Sequence, residues 1–165
     1  MGPKLRKLEF AEQRYDSLAR PSATAVVQLW ALLTTSVQTF RERGKQGEHG
    51  GTFYAFLKFI DHFNYIILAM FADCADEVLQ LTRYFDVKDG DGTGVHGVVG
   101  DFVSRMFVLF ITGHVVDTGF TRHMISRLTS QHMTFVLDGI AKTIGGATIQ
   151  DSINLPHSFK QKSFC

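Results

Sequence analysis

Apolar residues recur along most of this chain at spacings of three and four, which is the period of an amphipathic α-helix. The first such segment runs up to Pro21 and shares one face among Leu5, Leu8, Tyr15 and Leu18. Proline disfavours helix in the residue before it, so we expect this helix to end at Pro21 and Ser22 to cap the next. The second helix carries a stripe of Val26, Trp30, Leu33, Val37 and Phe40, with Gly44 as its C-terminal cap.

A third apolar pattern starts after Gly50-Gly51, where Thr52 can serve as the N-cap. Its face consists of Phe53, Phe56, Ile60, Phe63, Ile67 and Phe71. The period continues to Phe85, so one long helix over residues 53–85 is one interpretation. A break near Asp73 to Asp76 is the other, because acidic residues favour a new helix N-terminus.

The fourth predicted helix follows the turn from Asp86 to Gly94, with Thr93 as its cap. One face holds Val95, Val99, Phe102, Met106 and Phe110, and a second holds Val103, Phe107 and Ile111. A helix that is apolar on much of its circumference is either buried centrally or covered by partners. Gly97, Gly100 and Gly113 are small residues that favour close approach of another backbone.

Two shorter helices complete the prediction. One starts at Asp117 or Thr118 and buries Phe120, Met124, Ile125 and Leu128. The other starts at Thr129 or Ser130, contains Met133, Val136, Leu137, Ile140 and Ile144, and ends at Gly145-Gly146. The sequence therefore predicts an all-α fold: a single domain of five or six helices with one long or broken central helix. Residues 1–146 form this helical domain, and residues 147–165 form an irregular C-terminal tail.

Among the aromatic residues of the chain, phenylalanine strongly predominates. The chain has 165 residues and contains 15 Phe against one Trp and four Tyr. Phe has no polar group, so most of these rings require a core or a partner surface. The net charge of +1 gives no general attraction to nucleic acid. The two cysteines, Cys74 and Cys165, have neither a metal-binding spacing nor a disulfide framework, and Cys74 is expected to be a small core residue.

The turn from Tyr84 to Gly94 resembles the start of an EF-hand calcium loop. Setting Gly92 at the sixth position of the loop places Asp89 and Asp91 at ligand positions. The closing position is then Val98, which has no carboxylate. We therefore expect a polar turn that binds no calcium at physiological levels, and no metal site.

A second resemblance is to the globins. The segment from His132 to Ala141 resembles their distal-histidine helix, and the segment from Ile153 to Lys160 resembles the stretch with their proximal histidine. The resemblance implies haem as the cofactor, with His157 binding the iron and His132 lining the distal pocket. A haem-binding, globin-like protein is accordingly an alternative function.

Other constellations point to no chemistry. The seven histidines include no HxxxH or HExxH pattern. His114 and Asp117 can share a helix face, whereas Asp61 and His62 are adjacent and point in different directions. Ser104, Ser126 and Ser130 lie in no nucleophile motif. We therefore predict no catalytic residue, no resident cofactor and no enzymatic activity.

The leading hypothesis is a non-enzymatic structural or accessory subunit of a larger multiprotein complex. The preferred setting is a mitochondrial membrane complex, because the N-terminal segment is basic and amphipathic and several helices approach membrane hydropathy. Partners are other protein subunits, with membrane or lipid contact left open and nucleic acid excluded. A soluble helical adaptor is a further alternative. The predicted partner-binding residues are Phe102, Phe107, Phe110, Phe159 and Phe164, the last two in the tail.

Overall fold

The structure is a computed structural model that describes residues 16–45, 49–86 and 94–146. Six α-helices precede a two-stranded hairpin. The bounds of the helices are α1 Asp16–Val27, α2 Leu29–Arg43, α3 Gly50–Phe59, α4 His62–Asp86, α5 Val95–Met106 and α6 Gly119–Ser130. A π-helical segment, Phe107–Ile111, continues α5, and a short 3₁₀ helix covers His114–Asp117. The strands are β1 His132–Leu137 and β2 Ile140–Gly145. The expected all-α class with six helices is confirmed, with the small sheet as an addition.

The first boundary lies further along than Pro21. Helix α1 runs through Pro21, so the expected end at this proline is wrong, and Ser22 lies inside the helix instead of capping the next one. Ala19 and Val26 are buried on either side of Pro21, and this burial outweighs the local preference against helix. The bend falls at Gln28, whose N–H still donates to the carbonyl of Thr24 at 2.9 Å. The apolar stripe of α2 and its end at Gly44, where φ is 62°, are confirmed.

The second boundary also differs from the sequence prediction. Helix α3 begins at Gly50 instead of after Thr52. The long helix does break, but at Ile60 and Asp61, where α3 and α4 meet at 93°. Asp61 caps α4 by accepting a hydrogen bond from the N–H of Asn64 at 2.7 Å, and the Asn64 side chain donates to the carbonyl of Phe59 at 2.7 Å. Residues 73–76 therefore continue the helix.

The core lies between α4 and the elements on one of its sides. Helix α4 packs against α1 and α6. The buried apolar residues that form one contiguous cluster are Val26, Leu29, Leu33, Val37, Leu57, Ile60, Tyr65, Ala69, Ala72, Met124, Leu128, Phe135, Leu137 and Ile144. They come from α1 to α4, from α6 and from the hairpin. Among the described residues, α5 contributes none of them.

The predicted sixth helix is wrong, because residues 132–145 form an antiparallel hairpin. Asp138 and Gly139 make its two-residue turn, with φ of 53° and 79°. Positive φ at both positions defines a type I′ turn, the turn for which Asp-Gly is preferred. Phe135, Leu137 and Ile144 face the core. Lys142 reaches across to α3 and donates to the carbonyls of Leu57 and Lys58, both at 2.9 Å.

Candidate functional site

Helix α5 and the π-helical segment lie on the outside of the molecule. Neither contains a buried residue, although most of their side chains are apolar. Val103 and Phe107 are exposed by more than half, and Ile111 is 71% exposed. Because exposed apolar surface of this extent is unfavourable in water, this segment is a candidate binding surface.

An open groove of about 590 Å³ separates α4 from this segment. The residues that line it are Ile67, Met70, Phe71 and Cys74 from α4, and Val103, Met106, Phe107, Phe110 and Ile111 from α5 and the π-helical segment. All nine side chains are apolar or weakly polar. We call this the α4–α5 groove. Its chemistry suits a hydrocarbon or aromatic side chain and offers little to a polar ligand.

Two rows of exposed side chains border the groove. Phe63, Ile67 and Phe71 repeat at intervals of four residues along α4, and Val103, Phe107 and Ile111 do the same on the other side. We call these six residues the apolar face. Residues four apart lie on one side of a helix, so each row is continuous. The π-helical segment, closed by the hydrogen bond from the N–H of Thr112 to the carbonyl of Phe107 at 3.1 Å, lies within the second row.

The apolar face lies opposite the core on α4. The core-facing residues Tyr65, Ala69 and Ala72 are fully or almost fully buried. At 3.6 residues per turn, Phe63, Ile67 and Phe71 project roughly half a turn away from them. Helix α4 is therefore apolar on two sides, and the residues that the structure describes cover only one of them.

An ion pair closes the other edge of the contact between α4 and α5. The guanidinium of Arg105 donates from Nε to a carboxylate oxygen of Glu77 at 2.7 Å. Glu77 is largely buried, whereas Arg105 is exposed at its side-chain end. The pair holds Arg105 beside Glu77, and the Tyr84 hydroxyl lies against Gly94 at the start of α5. The two helices thus run in opposite directions, and the face they present is fixed before any partner arrives.

Sulfur-containing side chains make the floor of the groove adaptable. Met70 and Cys74 line the groove from α4, and Met106 lines it from α5. Methionine fills irregular gaps and is frequent on surfaces that accept varied apolar partners. Cys74 was expected in the core but is only partly buried. Burial, followed by the charge of Glu77, raises the pKa of its thiol, so the neutral thiol dominates at neutral pH.

The structure places some of the predicted partner-binding residues at this site. Phe107 and Phe110 line the groove. Phe102 is half-buried on α5 and is not a lining residue. Phe159 and Phe164 lie outside the described residues. Gly97 and Gly100 have open space where a Cβ would lie, so the tight helix crossing expected from them does not occur within the described chain.

The predictions that involve histidine residues have different outcomes. His132 is the exposed first residue of β1 and pairs with Gly145, so the distal helix required by the globin resemblance is replaced by a strand. His157 lies outside the described residues. His114 and Asp117 do approach each other, at 3.9 Å, on the surface. Asp61 and His62 point apart as expected, since Asp61 caps α4 and Nε2 of His62 accepts from the N–H of Gly145 at 2.7 Å.

Two polar clusters that were not predicted from the sequence connect distant parts of the chain. The buried carboxylate of Asp73, in α4, accepts hydrogen bonds from the N–H groups of Phe120 and Thr121 at 2.7 and 2.9 Å. It therefore caps α6 from a distant part of the chain. In the second cluster, Asp138 of the hairpin turn accepts from the hydroxyl of Tyr54 at 2.5 Å and pairs with Lys45.

The described residues contain neither a cluster suited to a metal ion nor a single helix able to cross a membrane. Among residues 16–45, 49–86 and 94–146, no group of three His, Cys, Asp or Glu side chains is placed to hold a metal ion. The calcium-loop resemblance falls largely on residues 87–93, outside the described residues. No single described helix is long and apolar enough to cross a membrane, and only α3 and α4 taken together, bent by 93°, meet the criterion of length and composition.

Comparisons with known proteins found no matching family, no matching curated protein and no matching solved structure.

Proposed function

We propose that this chain is a non-enzymatic structural subunit of a larger protein complex and that the apolar face is its docking surface. The observation that carries the proposal is the row of Phe63, Ile67 and Phe71 lying unburied on the side of α4 opposite the core. A large continuous apolar patch on a folded chain marks an interaction site. The covering partner would supply the layer that the described residues do not provide on this side.

The arrangement around the face supports docking. The ion pair between Glu77 and Arg105 sets the register of α4 and α5, so ordering these helices costs little when a partner binds. The groove between them accepts projecting side chains, and Phe107 stands at its rim. Aromatic residues and methionine are enriched in the buried centres of interfaces, and charged residues are depleted there. The composition of this groove has the same bias.

A more specific proposal is an accessory subunit of a mitochondrial membrane complex. It draws on the basic N-terminal segment with Lys4, Arg6 and Lys7, which lies outside the described residues, and on the apolar helices α4 and α5. Fractionation of cells that produce the chain with a C-terminal tag tests it. Recovery of the tagged chain with mitochondrial membranes is expected, and recovery only with another compartment contradicts the mitochondrial setting.

The docking proposal is tested by photo-crosslinking in cells. A photoreactive phenylalanine analogue replaces Phe107, at the groove, or Ile140, which is 72% exposed on the hairpin and serves as the control. Position 107 is expected to yield discrete crosslinked products larger than the chain, and position 140 is not. If position 107 yields no product under conditions where the analogue is incorporated, the face is not a protein-docking surface.

The shape of the groove also favours one alternative of the same class, a helical adaptor that binds an amphipathic helix reversibly. Its apolar walls and methionine floor suit the anchor residues of such a helix. The two functions differ in behaviour during purification. A structural subunit co-migrates with its partners through gel filtration, whereas an adaptor separates from them and runs alone.

A further inference from the structure

We infer that the partner of the apolar face is a second copy of this chain, which forms a two-fold dimer through α4 and α5. The inference rests on the proposed function, since it takes the face to be a protein-docking surface and names its occupant. Neither an enzymatic activity nor a bound ligand is part of the argument. The symmetry, charge and area of the face point to this partner.

The antiparallel direction of the two helices suits two-fold symmetry. The Tyr84 hydroxyl lies against Gly94, and Glu77 lies beside Arg105, so α5 runs back along α4. When two such pairs meet around a two-fold axis, the four helices form an antiparallel bundle whose inner surface is the apolar face of each copy. A two-fold interface uses the same patch on both subunits, and here the patch is shared by both helices of the pair.

Charge presents no obstacle to self-association. A two-fold axis brings each residue near its own copy, so a charged residue in the patch would meet a like charge. No charged residue lines the groove in the described chain. The nearby charges of Glu77 and Arg105 are already paired with each other at the opposite edge. Homodimer interfaces are also more apolar than interfaces between different proteins, which favours a second copy over an unlike partner.

The area of the face is close to what a stable dimer needs. A Phe side chain buries about 150–250 Å² when it is fully covered. Three partly exposed Phe side chains with three exposed aliphatic ones therefore offer on the order of 600 Å² per copy. A standard interface takes about 800 Å² from each partner. Val99, also exposed, precedes Val103 by four residues and extends this row of the face toward that value.

The face contains both projections and a recess. Ile111 and Phe63 stand out at one end of the groove and are 71% and 63% exposed. The groove beyond them, with a volume of about 590 Å³, is open at the surface. In a two-fold arrangement the projecting side chains of each copy enter the recess of the other. The surface is thus complementary to itself in polarity.

Sedimentation equilibrium of the purified full chain tests the inference. The wild-type chain is expected to show a reversible monomer–dimer equilibrium. Ile111→Ser removes an apolar side chain from the face of both copies and should weaken the dimer at least tenfold. The matched control is Ile140→Ser, an isoleucine of nearly equal exposure, 72%, on the hairpin, which should leave the equilibrium unchanged. Circular dichroism confirms that each variant remains folded, and Val103→Ser replaces Ile111→Ser if that variant does not.

Other outcomes overturn the inference in distinguishable ways. A dimer that Ile111→Ser and Val103→Ser leave intact uses another surface. A wild-type monomer whose position 107 still crosslinks to other proteins in cells shows that the face serves an unlike partner, and the proposed function stands. A monomer that forms no crosslinks but binds phosphatidylcholine–cardiolipin vesicles shows that the face meets lipid, and both proposals then fail.

Discussion

At the scale of single residues, Asp73 makes the most consequential contact in the structure. Its carboxylate accepts from two N–H groups at the start of α6 and from the hydroxyl of Thr121 at 2.7 Å. Gly119 stands beside it with φ of 58°, and a Cβ there would overlap the carboxylate. The residue thus joins the middle of α4 to the first turn of α6, where the helix dipole favours negative charge.

Replacing this carboxylate is expected to destabilise the fold. Asp73→Ala should lower the free energy of unfolding by about 2 kcal/mol, because an N-cap contributes about 0.5–2 kcal/mol and the buried Thr121 hydroxyl loses its partner. Chemical denaturation measures the change. Asp76→Ala, three residues along the same helix and exposed, is the control and should cost less than about 0.5 kcal/mol. Equal effects of the two substitutions would show that the capping contact contributes nothing.

Tyr65 presents the opposite case, a buried polar group without a partner. It is 1% exposed, and its hydroxyl makes no hydrogen bond to any residue that the structure describes. Burial raises the pKa of the phenol. An unsatisfied buried group costs about 1–3 kcal/mol, so Tyr65→Phe is expected to raise the melting temperature in a thermal scan. Tyr54→Phe is the control, since the Tyr54 hydroxyl donates to Asp138 and its loss should lower the melting temperature. A lower melting temperature for Tyr65→Phe would show that its hydroxyl has a partner in solution.

At the scale of elements, periodicity predicted the helices whose stripes face the core. Val26, Leu33 and Val37 are buried on the face that their spacing indicated. It failed for residues 132–145, because short apolar runs fit either period. The Asp138-Gly139 pair between two such runs was the available signal for a hairpin. A break near Asp73 to Asp76, one of the two interpretations, does not occur. The Asp73 carboxylate caps α6 instead, a long-range contact that local sequence does not encode.

The hairpin turn carries a prediction about acid. Hydrogen bonds from Lys45 and then from Tyr54 lower the pKa of Asp138. A carboxyl group whose pKa is lower in the folded state than in the unfolded state stabilises the fold at pH values above its unfolded pKa of about 3.9. This contribution is lost as the pH falls through the folded value. Asp138→Asn keeps a residue that tolerates positive φ but removes the charge, so it should be less stable than wild type at pH 7.

Denaturation at several pH values measures this contribution. The difference in stability between the wild type and Asp138→Asn should begin to shrink as the pH falls below about 4, the unfolded pKa, and should disappear below the lowered folded pKa of Asp138. Added salt should also narrow the gap at pH 7, since the ion pair with Lys45 is solvent-exposed. A gap that stays constant from pH 7 to pH 3 would mean that the charge of Asp138 plays no part in holding the turn.

At the scale of the whole molecule, α4 separates a covered side from an uncovered one. The sequence predicted that the segment from Val95 to Ile111 is apolar on two faces, and both the half-buried Phe102 and the exposed Phe107 agree with that pattern. It did not predict that Phe63, Ile67 and Phe71 share the exposed surface, because the same apolar spacing fits a buried stripe equally well. Which side of a doubly apolar helix is covered depends on the number and placement of neighbouring elements, and sequence periodicity does not contain that information.

The last prediction concerns Cys74. The labelling rate of its thiol measures how accessible the α4–α5 groove is in the intact molecule. In a Cys165→Ser chain it is the single remaining thiol. The thiolate is the form that reacts with alkylating reagents, and burial and the nearby charge of Glu77 raise the pKa of this thiol. Labelling should therefore be slow at neutral pH and accelerate toward alkaline pH. If a second copy covers the groove, labelling should also slow further as the protein concentration rises.

The control thiol lies on the opposite part of the molecule, at the exposed Ser126 of α6. A chain with Cys74→Ser, Cys165→Ser and Ser126→Cys should label faster than Cys74, at a rate independent of protein concentration. Mass spectrometry follows both reactions over time. A Cys74 rate that equals the control rate at every concentration would mean that the groove is freely open in solution. A Cys74 labelling rate that is slow but independent of protein concentration would agree with the raised pKa of the thiol. It would contradict the presence of a second copy in the groove.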